Sequence, residues 1–176
     1  MFSALPEEQF PIPAVDLTKI DPAYYRRLVD YPSAERTGTI IVDTPNRYLY
    51  LTMKYGKAMR YGVGIGRAGF DWGGPARIAY KKTWPTWTPP SEMIDRQPEL
   101  EEFRKGMAPS LENPQGARAL YIFEGGKDTL YRLHGTSEFW SIGKAVSSGC
   151  VRMLHQDVID LYNRVPDDSP IVVQQA

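Results

Sequence analysis

"HGTSEFWSIGKAVSSGCVRM", His134 to Met153, contains the chain's single cysteine, Cys150, sixteen positions after His134. A thiol becomes a strong nucleophile only as a thiolate, which needs a base or a positive charge nearby. His134 closes a predicted strand, where its side chain can point past a sheet edge. Cys150 follows Ser147, Ser148 and Gly149, small residues that let a substrate approach and let backbone N–H groups face a reacting carbonyl. Arg152, two positions on, is suited to bind a carboxylate or to stabilise a thiolate. The bland readings are equally concrete. A lone cysteine is commonly a small buried hydrophobe, Arg152 can pair with a carboxylate such as Asp157, and His155 reads as a capping or surface residue. Residue chemistry alone leaves both readings open.

Outward from this stretch the pattern is β-rich. "GARALYIFEGGKDTLYRLHG", Gly116–Gly135, predicts a hairpin with strands Arg118–Phe123 and Thr129–Leu133 around a Gly-Gly turn. "GTIIVDTPNRYLYLTM", Gly38–Met53, predicts another around Thr44-Pro45-Asn46, and "KAMRYGVGIG" continues as a third strand. "HQDVIDLYNRVP" predicts a helix with Val158, Ile159, Leu161, Tyr162 and Val165 on its apolar side, ended by Pro166, and "PIVVQ" a closing strand. Between Asp71 and Leu100 lie three of the four tryptophans and five prolines. That density predicts a short strand at Ile78–Lys82 and an irregular loop, with a helical turn or two in "LEEFRKGM". The first 36 residues read as an arm with one short helix, "DPAYYRRLVDYP", capped by Asp21 with Pro22 at its first position.

Composition narrows the function classes. At 176 residues, 42% hydrophobic and 24% charged, the chain fits one globular domain with its own core. Lys+Arg and Asp+Glu both number 21, so no basic field recruits nucleic acid. No apolar run approaches the roughly 20 residues of a membrane span, and the N-terminus lacks the pattern of a secretory signal. One cysteine and two histidines lack the ligand spacing of a zinc site, so neither metal nor cofactor is expected.

"HGT", then "SIG", then "VSSGCVRM", with a helix "DVIDLYNRV" and a closing "PIVV", resembles the signature of the L,D-transpeptidase catalytic domain family, in order from Thr37 to the C-terminus. The stretch "KKTWPTWTPPSEMI" resembles the variant found in Gram-negative exported proteins. The resemblance implies a mainly β, sandwich-type fold with one or two peripheral helices, an arm over residues 1–36 and a catalytic domain over 37–176. It implies acyl transfer on peptidoglycan stem peptides in the periplasm, outer-membrane proteins as a further class of acceptor, and acylation by carbapenems. Carried over, Cys150 is the nucleophile, His134 its base and the Gly135 carbonyl the group that orients the imidazole. Ser148, Gly149 and Cys150 supply oxyanion donors, and Arg152 is a substrate-side or structural residue. Many members carry histidine where this chain has Ser148.

Two other classes compete: an L,D-carboxypeptidase or another peptidoglycan thiol hydrolase, and a non-catalytic wall-binding module. Papain-like hydrolases place cysteine before histidine, the reverse of the order here. The loop Thr83–Pro114 is expected to wall the cleft, and two groups are expected to titrate in the neutral range.

Overall fold

The computed structural model describes residues 2–175, and among these ten strands form one hydrogen-bonded sheet. In chain order they are β1 (Arg27–Asp30), β2 (Ile40–Asp43), β3 (Tyr48–Met53), β4 (Lys57–Gly62), β5 (Gly64–Ile65), β6 (Gly74–Thr83), β7 (Arg118–Glu124), β8 (Lys127–Thr136), β9 (Val151–Leu154) and β10 (Pro170–Gln174). The described residues also form two α-helices, α1 (Ser91–Arg96) and α2 (His155–Arg164). The sheet order is β1-β4-β3-β2-β10-β6-β7-β8-β9-β5. β4 lies next to one edge and β5 is the opposite edge, yet only Val63 separates them in the chain. The two ends of the sheet must therefore meet, and the sheet folds over on itself around a single core. This is how a sandwich-type, mainly β fold arises from one continuous ladder.

The core follows from the strands' composition. β-branched and aromatic residues fill β2 and β3, and Ile40, Val42, Leu49 and Tyr61 from one half of the sheet pack in the same cluster as Leu133, Val151 and Met153 from the other. Helix α2 adds Val158 and Leu161 to that cluster, with Val165 just past its end. Of the predicted apolar side, these three are buried, while Tyr162 is half-buried and holds the Lys81 ammonium 4.2 Å from its ring centroid.

Most predicted elements are present, and the differences have local causes. Asp21 caps a turn as expected, its carboxylate accepting from the Ala23 N–H at 2.9 Å, but the turn is a single 3₁₀ turn, Pro22–Tyr24. The rest of the predicted helix is strand β1, which pairs Arg27–Asp30 with Lys57–Arg60. A sheet edge open for pairing overrides a short, weakly apolar helix. The strand predicted at Ile78–Lys82 extends to Gly74–Thr83, because β10 pairs with Pro75 and Ala76 and draws a turn-like sequence into the sheet. Helix α1 occupies a stretch assigned to loop. Pro85, Pro89 and Pro90 all precede it, Pro90 is its N-cap, and Pro98 begins the following 3₁₀ turn, so no proline interrupts it.

The N-terminal segment packs on the domain through two small apolar clusters. Phe2 and Ile20 join Ile142 and Leu154, and Ile12 joins Trp84 and Ala117. Glu8 accepts from Arg118 at 2.9 Å and from the Trp84 indole at 3.1 Å. Arg26 reaches helix α2, with Asp160 at 3.3 Å and Asp157 at 3.7 Å.

Asp157 is fully buried, and neither carboxylate oxygen has a hydrogen-bond partner. Burial raises its pKa to about 7, against the pull of the Arg26 guanidinium and with a further push from Asp160. A raised folded-state pKa means the native state binds more protons than the unfolded chain between about pH 4 and 7, so this group erodes stability as pH rises through that window. Asp157→Asn removes the effect. Thermal unfolding should show the variant gaining on the parent at pH 8 and matching it near pH 4.

Candidate active site

The site is built on β8 and β9, which pair in parallel: Leu133 faces Val151, and His134 faces Arg152. Parallel neighbours need a crossover connection of about a dozen residues or more, and residues 137–150 supply it. Cys150 immediately precedes β9, so the pairing sets it beside His134. His134 itself is 4% exposed, held between β7 and β9 rather than projecting past a sheet edge.

The imidazole has one tautomer. Its Nδ1 lies 2.9 Å from the Gly135 carbonyl oxygen, which can only accept, so Nδ1 carries the hydrogen. Nε2 is then the bare acceptor, and it receives the Cys150 backbone N–H in a long bond of 3.4 Å. The thiol donates to the Leu130 carbonyl at 3.7 Å. Leu130 has a left-handed backbone, φ +63°, beside a register shift between β7 and β8. This irregular conformation aims a strand carbonyl at the sulfur, and nothing in "DTLYRL" signals it.

Both ionisable groups are neutral at pH 7. Burial pushes the Cys150 thiol up to about 11; Arg132 opposes this and Asp71 adds to it. Burial likewise lowers His134 to about 4, against its hydrogen bond to Gly135 and with a further push from the Arg152 charge. The expected pair of groups titrating near neutrality is thus moved out on both sides.

The loop between the two residues is clamped by Arg152. Its Nε donates to the Ser148 carbonyl at 3.1 Å and its Nη2 to Ser148 Oγ at 2.7 Å, while Nη1 lies 3.4 Å from Glu138. Its acidic neighbour is therefore Glu138, whereas Asp157 faces Arg26. Gly149 has φ +88°, and a Cβ there would sit 3.1 Å from His134 Nε2. The small residues before the cysteine thus make room for the imidazole as well as for a substrate.

Three further features, the Gly64–Gly69 loop, Asn113 and buried His155, carry no signal in the sequence that marks them as parts of the site. Gly64-Ile65-Gly66-Arg67-Ala68-Gly69 has the glycine spacing of a dinucleotide-binding loop. Its glycines are instead taken up by close approach to the cysteine loop: a Cβ at Gly66 would lie 2.1 Å from the Ser148 carbonyl oxygen, and one at Gly69 2.4 Å from that of Cys150. The Gly66 N–H donates to Cys150 O and the Ala68 N–H to Gly149 O. Buried Asn113 gathers the carbonyls of Pro85, Met107 and Ala108, each at 3.2 Å, and so folds the loop expected to wall the cleft. Its only sequence signal is the turn-forming Asn-Pro pair. Trp84 in that loop is buried against Phe10. His155, expected at the surface, is 5% exposed, because Leu154 caps α2 and His155 faces Gly135 and Ala117.

A thiol, a bare imidazole nitrogen and backbone N–H groups within one strand pair can transfer a proton and an acyl group between them. Residues 37–173 match the family model of the L,D-transpeptidase catalytic domain, the YkuD family. The chain belongs to this family. It is 32% identical over 140 residues to the probable L,D-transpeptidase YbiS of Escherichia coli, covering 77% of this chain and 44% of that protein. It is 32% identical over 138 residues to the probable L,D-transpeptidase YcfS of E. coli, covering 76% and 42%. The chain thus spans less than half the length of these relatives.

A Brucella melitensis structure described as a probable carnitine operon oxidoreductase is 42% identical, with TM-score 0.63, over 86% of this chain and 94% of that one. An L,D-transpeptidase from Mycobacterium smegmatis superposes with TM-score 0.56 over 77% of this chain and 58% of that one. At 19% identity that likeness concerns the fold. No described helix is long and apolar enough to cross a membrane.

Free-thiol reactivity tests the electrostatics. With its pKa moved from 9.0 to about 11, Cys150 should react with iodoacetamide at pH 7 on the order of 100-fold slower than an unperturbed thiol. The rate should keep rising with hydroxide past pH 9, and a plateau near pH 8 contradicts the buried neutral thiol. Gly149→Ala should cost about 1–3 kcal/mol of stability from backbone strain, read by urea unfolding.

Proposed function

We propose that this protein is an L,D-transpeptidase acting on peptidoglycan stem tetrapeptides through a thioester on Cys150. The observation that carries the reading is the single His134 tautomer: Gly135 holds the Nδ1–H and leaves the Nε2 lone pair facing the Cys150 residue. Catalysis starts from a neutral thiol and a neutral imidazole. The thiol turns from the Leu130 carbonyl and gives its proton to Nε2 as sulfur attacks the carbonyl of the diaminopimelate–D-alanine bond. The new oxyanion rests against backbone N–H groups of Ser148, Gly149 and Cys150; Cys150 can release its long bond to Nε2 for this purpose. The C–N bond breaks, the proton on Nε2 passes to the departing D-alanine amine, and a thioester remains.

An amine of a second stem attacks the thioester and gives its proton to Nε2, the C–S bond breaks as Nε2 returns that proton to the departing sulfur, and the product is a 3→3 cross-link between diaminopimelate residues. Water in place of the amine gives L,D-carboxypeptidase action, and an amine of an outer-membrane protein gives protein attachment. Arg152 serves this scheme by fixing the Ser148 loop. Gly135 plays the part an Asp or Asn side chain plays in other triads. No step requires a metal or an organic cofactor. The substrate places the working site in the periplasm, and acylation of Cys150 by a carbapenem follows from the same thioester chemistry.

Purified protein incubated with a tetrapeptide-rich muropeptide mixture should release D-alanine and form tetrapeptide–tripeptide dimers, read by mass spectrometry. Cys150→Ala should abolish both, and cross-links formed by that variant overturn the mechanism. Because the reactive form needs neutral His134 and protonated Cys150, kcat/KM should stay flat from about pH 5.5 to 9. It should fall only as pH drops toward about 4, where His134 gains its proton, or rises toward about 11.

A further inference from the structure

His155 is a buried histidine that the chemistry above leaves unused. All of its hydrogen bonds are determined in direction. The Ala117 backbone N–H donates to Nδ1 at 3.3 Å, so Nδ1 is bare and Nε2 carries the hydrogen. Nε2–H then donates to Ser137 Oγ at 2.9 Å, and the Ser137 hydroxyl donates to the Leu111 carbonyl at 2.7 Å. The relay ties together the start of β7, the first residue of α2, the crossover after β8 and the end of the 83–114 loop. Each donor meets one acceptor, and none is shared.

This relay lies directly against the peptide that orients the His134 imidazole. A Cβ built on Gly135 would lie 3.0 Å from His155 Nδ1, 3.2 Å from the Ala117 nitrogen and 3.2 Å from Val158. A Cβ on Gly116, at φ +62°, would lie 2.6 Å from the His155 ring. The Gly135 N–H is fixed by the Gln115 carbonyl at 3.0 Å. Gly135 is thus held at its N–H by Gln115 and packed at its Cα against the His155 ring. Its carbonyl points to His134 Nδ1. Trp84 sits 6.3 Å from His155, centroid to centroid, and is itself held by Phe10 and Glu8.

We propose that His155 is a positioning residue for His134: with Ser137 and Ala117 it fixes the Gly135 carbonyl, and through it the tautomer and angle of the imidazole. The inference rests on the reading of His134 as the base of Cys150. The hydrogen bonds of His155 go to Ala117 and Ser137 and not to Cys150, so as a residue acting through Gly135 its loss should act on turnover and leave binding alone. A ring nitrogen that accepts a buried backbone N–H can be replaced by an amide oxygen at the same position. Asparagine supplies one at the Nδ1 site.

The test compares His155→Ala and His155→Asn by steady-state kinetics and by nitrogen-15 spectra of the His134 ring. In the parent, His134 should show one tautomer with hydrogen on Nδ1. In His155→Ala it should show a mixture, with kcat reduced at least about 10-fold and KM within twofold. His155→Asn, which keeps the acceptor for Ala117 but not the bond to Ser137, should fall between His155→Ala and the parent in both readouts. Ser137→Ala, which changes an exposed residue, should shift both readouts in the same direction and serves if His155→Ala does not fold. An unchanged His134 tautomer in a folded His155→Ala or Ser137→Ala protein overturns the proposal, as does parental kcat. If the parent itself turns over no stem peptide, the functional reading fails, while the ring spectra still decide the role of His155.

Discussion

The parallel pairing of β8 with β9 is the constraint on which the rest of this molecule depends. Parallel strands cannot be joined by a tight turn, so the pairing forces a long connection, and that connection carries the cysteine. Registering His134 against Arg152 puts the imidazole and the guanidinium on one face. The same register puts Cys150 at the strand's entrance, where its N–H meets Nε2. Edge strand β5 then closes on β9, and because β5 is joined to β4 through one residue, the far half of the sheet is drawn over the core. Site and sandwich are therefore one geometric fact. A register slip of one residue would reverse the facing of every side chain on β9 and separate the pair.

The same burial that makes the fold determines how the site must work. A thiolate–imidazolium pair would place two charges where Cys150 and His134 are almost without solvent, and desolvation there outweighs their attraction. The resting site is therefore neutral. In the proposed mechanism charge arises only during the reaction, where backbone N–H dipoles would meet it. The Gly135 carbonyl suits this design better than a carboxylate would. It fixes the tautomer, would steady the imidazolium of the proposed mechanism, and adds no buried negative charge that would raise the resting pKa of the imidazole.

The parts legible in the sequence were those determined within a few residues. Both hairpins, helix α2 and the closing strand follow from turn residues and periodicity, and their cores are where the pattern places them. The residues His134 and Cys150 stand out by chemical type, and the order of the surrounding motifs carries the family. The parallel pairing that joins them was not readable, because register between distant strands leaves no mark on either strand alone. The burial of His155 was hidden for a similar reason: at the first position of a helix a histidine looks like a surface residue until the neighbouring strands are in place. The left-handed turn at Leu130 has no local signal at all. A leucine in an alternating run reads as ordinary strand, and only the mismatch between β7 and β8 bends it.

The N-terminal segment shows where a boundary in sequence and a boundary in packing part company. The family match begins at residue 37, yet Ile12 and Phe2 are buried against Trp84, Ala117 and Leu154. Each such side chain contributes roughly 1.5–3 kcal/mol when fully buried. The Gln156 side chain donates to the carbonyls of both Ser3 and Pro13, at 3.1 Å each, which ties the segment to the first turn of α2. A partly open pocket of about 120 Å³ lies beside it, lined by Ile12–Val15 together with Thr136, Ser137 and His155. The arm thus shares this pocket with Ser137 and His155. Glu8 completes the link, because one carboxylate holds both the Arg118 that opens β7 and the Trp84 that faces His155. Residues that precede the matched stretch 37–173 in this way pack against side chains that neighbour His155.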